Sequence, residues 1–364
     1  MTEPIHSPLH DRHVALGAKF SEFGGWLMPL QYAGVVAEHR AVRTSVGIFD
    51  VSHLGKMRIT GPAAADFVNS CLTNDLRRIQ PGQAQYTMLC NAAGGVIDDM
   101  IAYLFSDEEV FVIPNAANTA EVVKTLAEVA PEGVVVTNEH RDHAVIAVQG
   151  TNSDEVLAAL NLPVGQDYMA FAKASWGGVE LTVCRTGYTG ERGYELVVPA
   201  DAAGEIWDAV LAAGSEYDIA VCGLGARDTL RTEMGYPLHG HDLSPQISPV
   251  MANLNWAVGW DKPTFCGAEA LREQRAAKTG RLLRGLKAAG RAIPRPEMVV
   301  FAGETEVGTI TSGTFSPTLQ AGIALVLLDR SIKLGDVVEV ELRGRREPFE
   351  VVKPPFVSTG VRES

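Results

Sequence analysis

Tyr86-Thr-Met-Leu-Cys90-Asn91-Ala-Ala-Gly94-Gly95-Val96-Ile97-Asp98-Asp99-Met100-Ile101-Ala-Tyr103-Leu-Phe105 reads as two β-rich runs folded about a double-glycine turn. Glycine supplies the tight bend, and β-branched or aromatic runs bounded by turn residues read as strands. A third run, Glu109 to Pro114, follows at once, so sequence neighbours are expected to be hairpin partners in an antiparallel sheet. Consecutive strand side chains point to opposite faces. Asp99 therefore shares a face with Ile97 and Ile101, and Asp98 shares the other with Val96 and Met100. Both faces are apolar, so at least one acid enters surroundings where an unpaired charge is costly. A turn-capping Asp beside a solvated neighbour fits the same spacing.

Outward from this stretch, Ala117 to Ala130 and Ala203 to Ala213 carry apolar residues at helical spacing, and Gly133 to Thr137, Ala144 to Val148 and Tyr194 to Val198 read as strands. Helices mixed with hairpin-like strands, without a regular βαβα rhythm, predict an α+β fold with helices packed on one side of antiparallel sheets. The charged stretch Glu273 to Arg284 marks a change. After Ala289 short strands take over: Met298 to Phe301, Glu306 to Thr311, Ile323 to Leu328, Val337 to Leu342 and Phe349 to Val352. Gly303, Gly313, Gly335 and Gly344 punctuate them as turns of a small barrel or sandwich. Residues 1–275 are read as an α+β region of two interleaved lobes, and 276–364 as an all-β domain.

The chain has 364 residues, more than one hydrophobic core comfortably serves. No apolar run approaches the roughly 20 residues that span a bilayer, and Met1 to Leu16 lacks the apolar core of a signal peptide. The expectation is a soluble cytoplasmic protein. With 31 Lys and Arg against 44 Asp and Glu, the net charge is −13, the wrong sign for a protein that wraps nucleic acid. Five scattered cysteines form no C-x-x-C pair, which leaves free thiols as the simplest reading and gives no zinc signature.

Two further stretches carry candidate chemistry. Arg185-Thr-Gly187-Tyr188-Thr-Gly190-Glu191-Arg-Gly193-Tyr194-Glu195 spaces glycines at three-residue steps before a strand, which is not a phosphate loop. Glu195 is a half-buried acid able to accept hydrogen bonds from a flat, donor-rich heterocycle, or a solvent-facing residue of an edge strand. Gly223-Leu-Gly225-Ala226-Arg227-Asp228-Thr-Leu230-Arg231 opens a helix whose Arg227 and Arg231 form one row beside a buried stripe. Arginine suits an anionic ligand tail, and pairing with Asp228 or Glu233 is the structural alternative. His239-Gly-His241 has no third ligand at metal spacing and reads as a turn. His53 has no Ser/His/Asp partners, and no G-x-S-x-G elbow exists, so hydrolase chemistry has no support.

Taken together, these segments resemble the glycine cleavage T-protein family. The matches run in order: Phe23-Gly-Gly-Trp-Leu-Met-Pro-Leu, Val46-Gly-Ile-Phe-Asp-Val-Ser-His, Thr73-Asn-Asp, Gly94-Gly-Val-Ile-Asp-Asp, Arg185-Thr-Gly-Tyr-Thr-Gly-Glu, Gly223-Leu-Gly-Ala-Arg-Asp, Val307-Gly-Thr-Ile-Thr-Ser-Gly and Ser316-Pro-Thr-Leu. Gly24, Leu54 and Arg192 depart from the usual pattern, and Arg192 replaces an acid beside the glycine-rich turn. The resemblance implies a three-lobed α+β arrangement around a central folate channel, with a C-terminal β-barrel. It implies transfer of a one-carbon unit from the aminomethyl-lipoyl arm of H-protein to tetrahydrofolate, within the glycine cleavage system and with no metal.

By the same resemblance, Asp99 is the catalytic residue, orienting the folate and stabilising positive charge as ammonia leaves, either with a proton transfer or without one. Glu195 matches the acid on the pterin donor edge, and Tyr86 and Tyr188 match folate-pocket aromatics. Arg227 and Arg362 match cations near the folate tail, and Asn115 in Asn115-Ala-Ala-Asn118 matches a further contact. Docking of an acidic carrier predicts a local basic patch from Lys56, Arg284, Lys287, Arg291 and Arg295. Three rivals are weighed. Folate-binding relatives in iron–sulfur maintenance or RNA modification share a Lys-Gly-Cys-Tyr-x-Gly-Gln-Glu motif that is absent here. Sarcosine and dimethylglycine dehydrogenases add a flavin domain, for which no G-x-G-x-x-G exists. A folate sensor without chemistry would not need Asp99.

Overall fold

A computed structural model describes residues 3–361, so Arg362 lies outside the described residues. The opening hairpin forms: Gln83–Cys90 pairs antiparallel with Val96–Ser106, with Met88 opposite Asp99 and Leu89 opposite Asp98. Glu109–Ile113, Met57–Thr60 and Val135–Asn138 continue it into a five-stranded sheet. One face of that sheet, with Met100 and Ala102, packs on the helices Ala64–Cys71 and Thr119–Val129 through Phe67, Val68, Val122 and Leu126.

A six-stranded sheet runs Phe171–Trp176, Val179–Cys184, Gly193–Pro199, His143–Gln149, Gly47–Asp50, Ala220–Cys222. Its outer face carries Leu196 and Val198 and packs on Ser153–Ala159 and Ala203–Ala213 around Val156, Ile206 and Trp207. The inner faces of the two sheets share one apolar cluster, in which Tyr103 and Phe111 meet Val145, Ala147 and Val197. Alternation then sets the site. Asp99 lies in step with Tyr103 on one sheet and Glu195 in step with Val197 on the other, so both acids enter the interior from opposite sides.

The remaining β structure is a small three-stranded sheet, Ile5–His6, Trp26–Gln31 and Lys19–Phe23, and a closed six-stranded barrel. The barrel begins earlier than its glycine punctuation suggests. Arg281–Ala288 is its first strand, burying Leu283 and Leu286 while Lys287 faces solvent. The charge of that segment belongs to the outer side of the strand, where Arg281 pairs with Asp329. Gly313, expected in a turn, lies inside the strand Thr305–Ser316, because a Cβ there would come 2.7 Å from the Pro294 carbonyl oxygen. The barrel docks on the helix Leu224–Met234: Ser316 donates to Glu233 at 2.5 Å, and Arg231 donates to Ser312 at 2.9 Å.

Candidate active site

The double-glycine turn is built by its own asparagine. Asn91 Oδ1 accepts from the backbone N–H groups of Ala93 at 3.0 Å and Gly95 at 2.9 Å. Gly94 has φ +84°, and a Cβ on Gly95 would lie 1.9 Å from the Pro245 carbonyl oxygen. Only glycines let the segment around Pro245 press this closely, and Val96 then donates to the Ser244 carbonyl at 2.9 Å. The turn delivers Asp98 and Asp99 side by side into the protein.

Asp98 is fully buried, and Asp99 beside it is half-buried with its carboxyl bonded to protein groups. Asp98 accepts from the Asn115 backbone N–H at 2.8 Å, from Asn115 Nδ2 at 2.9 Å and from Asn118 Nδ2 at 2.7 Å. Asp99 accepts from the Tyr86 hydroxyl at 2.9 Å and from Asn115 Nδ2 at 3.0 Å. Burial pushes both carboxyls above the usual carboxylate range, and the charge of Asp99 adds to the rise at Asp98. Two adjacent buried carboxylates resist ionising together, so the pair is suited to hold one proton near neutrality. Burial, then the neighbouring Asp99, also holds the Tyr86 hydroxyl neutral, and its ring stacks on Trp256 at 5.5 Å.

Opposite this pair stand an aromatic wall and two charged groups. Tyr188 donates to the Pro237 carbonyl and stacks on Tyr236 at 5.7 Å. The Arg227 guanidinium sits 4.6 Å from the centre of the Tyr188 ring. Burial disfavours its charge, and Glu195 nearby compensates in part. Glu195 Oε2 accepts from Thr186 at 2.5 Å, whereas no side chain among the described residues bonds to Glu195 Oε1 or to the Arg227 guanidinium. Unspent hydrogen-bonding capacity on two opposite charges, beside flat rings, is what a planar ligand with both a donor edge and an anionic tail requires.

The family model described as "GCVT N-terminal domain" matches residues 9–262, and "Glycine cleavage T-protein C-terminal barrel domain" matches 281–358. The chain belongs to the glycine cleavage T-protein family. An aminomethyltransferase of Mycobacterium bovis is 59% identical over 362 residues, covering 99% of each chain. One from Frankia alni is 59% identical over 365 residues and covers 100% of each. The crystal structure of glycine cleavage system aminomethyltransferase T from Bartonella henselae has a TM-score of 0.91 at 32% identity, covering 97% of this chain and 98% of that one.

In this T-protein family member, the sequence-predicted residues Tyr86, Asp99 and Asn115 form one bonded cluster, and Tyr188, Glu195 and Arg227 gather across from it. The edge-strand reading of Glu195 does not hold: Gly193–Pro199 is paired on both sides, and Glu195 is buried. Nor does pairing of Arg227 with Asp228 or Glu233, because Arg231 takes Asp228 at 2.7 Å and Arg43 takes Glu233 at 2.8 Å. Arg231 accordingly does not share the site with Arg227. Lys56 cannot join a basic docking patch, since it is fully buried with Nζ donating to the Ser52 and Leu54 carbonyls at 2.8 Å.

Three participants escape the sequence reading. Asn118 and His239 reach Asp98 through a bonded chain, and Trp256 covers Tyr86. The Asn115-Ala-Ala-Asn118 spacing held a signal for Asn118, because a short 3-10 turn over Ala116–Asn118 brings both amides to one carboxylate. His239 and Trp256 carry no local signal.

Proposed function

We propose that this chain transfers a one-carbon unit from an aminomethyl group on the lipoyl sulfur of an H-protein to tetrahydrofolate. The products are 5,10-methylenetetrahydrofolate, ammonia and the dihydrolipoyl carrier. The observation that carries the reading is Asp99, bonded to Tyr86 and Asn115, near a Tyr188, an Arg227 and a Glu195 of which the last two have hydrogen-bonding capacity to spare.

Each residue has a distinct task. Glu195 Oε1 accepts from the donor edge of the pterin, and Tyr86 and Tyr188 offer flat surfaces to its ring. Arg227 faces the carboxylates of the folate tail. Asp99 orients the folate nitrogens towards the arriving carbon and offsets the positive charge that grows as ammonia leaves. Two carbon–nitrogen bonds form while the carbon–sulfur and carbon–amine bonds break, and the two protons released by folate nitrogens end on ammonia and on the thiol. Holding both reactants in one cavity makes the encounter effectively intramolecular. Asn115 keeps Asp99 in register through its amide.

The lipoyl arm must come from a partner docked outside, and the exposed cations Lys287, Arg291 and Arg295 would favour an acidic carrier. Five free cysteines agree with work in the reducing cytoplasm. The deciding assay supplies tetrahydrofolate and aminomethyl-loaded H-protein and reads ammonia and methylene-folate. Turnover is expected, and Asp99→Ala should abolish most of it while keeping much of the folate affinity. No ammonia from the unaltered chain would overturn the reading. Loss of folate binding in Asp99→Ala with an unchanged single-turnover rate would reverse the assigned role.

A further inference from the structure

The cage around Asp98 contains donors only. Its three partners are the Asn115 backbone N–H, Asn115 Nδ2 and Asn118 Nδ2, and an amide nitrogen has no lone pair to accept a proton. A protonated Asp98 would have nowhere to donate. This arrangement depends on which way the Asn118 amide faces, and that is fixed from behind. His239 Nε2 lies 3.0 Å from the Val96 carbonyl oxygen, which can only accept, so Nε2 carries the hydrogen. Nδ1 faces Asn118 Nδ2 at 2.9 Å, a nitrogen that can only donate, so Nδ1 accepts. One hydrogen of that NH2 group goes to His239 and the other to Asp98. Turning the amide over would set its oxygen against both the bare Nδ1 and the carboxylate.

Asp99 has no such cage. Its Oδ2 partner is the Tyr86 hydroxyl, a group that donates or accepts as required. The ionisable groups facing the pair are Tyr86 from the neighbouring strand, Tyr188 from the opposite wall and His239 from the turn after Leu224–Met234. Among the described residues no Lys or Arg side chain bonds to either acid; burial and the Asp99 charge raise the Asp98 carboxyl, and the amide donors of Asn118 and Asn115 pull it down against them.

We propose that His239 is a positioning residue: through Asn118 it makes Asp98 the ionised member of the pair and leaves the shared proton on Asp99, at the point of transfer. The proposal rests on the aminomethyl-transfer reading for its consequence. Asp99 gives its proton to the departing nitrogen as the carbon–nitrogen bond breaks, and regains one from the folate nitrogen as that nitrogen bonds the carbon. Asp98 stays negative throughout, and Asp99, ionised between giving one proton and regaining another, offsets the passing positive charge.

The test compares His239→Phe, which removes the acceptor, with His239→Asn, whose side-chain oxygen can stand near the position of Nδ1. Asn118→Ala removes the donor itself. Losing one hydrogen bond to a charged group is worth about tenfold, so Asp99 should lose its proton about one pH unit lower in His239→Phe and Asn118→Ala. The alkaline limb of the single-turnover pH profile should move down by the same amount, with folate affinity within about threefold of the unaltered chain. His239→Asn should keep the limb in place. The Asp99 carboxyl is also followed by 13C NMR in the unliganded chain, with Asp99→Asn as the assignment control. That titration does not require turnover, so a chain that fails to transfer defeats the functional reading while NMR still judges the relay. An unmoved Asp99 titration in His239→Phe and Asn118→Ala, or equal displacement in His239→Asn and His239→Phe, overturns the proposal.

Discussion

The side-chain amide of Asn115 donates to two neighbouring acids at once, at 2.9 Å to Asp98 and 3.0 Å to Asp99. Consecutive strand residues point apart, so this sharing is possible only because Asn115 leaves the adjacent strand Glu109–Ile113 just beyond the Ile101–Ile113 pair. One amide thus ties the fully buried acid to the half-buried one.

Truncating that amide should cost both stability and rate. Asn115→Ala leaves buried carboxylate oxygens short of a donor, which costs about 1–3 kcal/mol. Urea unfolding should register that loss, and the single-turnover rate should fall by at least about tenfold. Asn115→Asp should be worse, because a third buried acid replaces the donor. Unchanged urea midpoints in both variants would show that the bridge is dispensable.

Arg227 and Arg231 lie one helical turn apart and should behave oppositely. Arg231 donates to Asp242 at 2.9 Å and to Asp228 at 2.7 Å, and Asp242 is fully buried. Arg231→Ala strands that charge and should destabilise the chain by about 3–5 kcal/mol. Among the described residues Arg227 has no hydrogen bond to lose, and burial already disfavours its charge. Arg227→Ala should leave the melting temperature level or higher while weakening folate binding, read by calorimetric titration. A large drop in melting temperature would mean that the guanidinium supports the fold instead.

What could be read from sequence, and what could not, follows from the reach of each interaction. The hairpin and the two-faced Asp98–Asp99 pair depend on turn residues and alternation, which are local, whereas Glu195 is enclosed because Gly193–Pro199 is paired on both sides. The partners that give the acids their character are not. Asn118 and His239 are 121 residues apart, and nothing in either segment announces the other. The freedom of Arg227 likewise depends on competition: Arg231 captures Asp228, and Arg43 captures Glu233 from 190 residues away. The first barrel strand is hidden in the sequence because Arg281, Arg284 and Lys287 give it a charged composition, although Leu283 and Leu286 are buried between them.

The contact between barrel and helix Leu224–Met234 should be acid-labile at Glu233. Burial alone would raise this carboxyl, but His39, Ser316 and Arg43 overcome it and hold it down at about 2. Its ordinary value is 4.5. A depressed carboxylate contributes stability that is complete above the unfolded value and lost as pH falls from about 4.5 towards 2. The gap corresponds to about 3 kcal/mol. Glu233→Gln should therefore be less stable than the unaltered chain at pH 7, and the difference should shrink steadily below pH 4.5. Parallel stability curves across that window would place the acid sensitivity elsewhere.

Gly95→Ala tests whether the turn holds the relay as well as the hairpin. The added methyl would sit 1.9 Å from the Pro245 carbonyl oxygen, which is backbone and cannot swing aside as a side chain could. Either the 244–247 segment retreats or the hairpin does, and such overpacking costs about 1–3 kcal/mol. Val96 donates to Ser244 at 2.9 Å, and its own carbonyl accepts from His239 at 3.0 Å, so retreat displaces the anchor of the imidazole. The variant should lose stability in urea and also lose transfer rate beyond what its folded fraction explains. Ala93→Gly, at an exposed position of the same turn, is the control for altered turn flexibility and should change neither by much. Equal rates per folded molecule in Gly95→Ala and the unaltered chain would separate the turn from the chemistry.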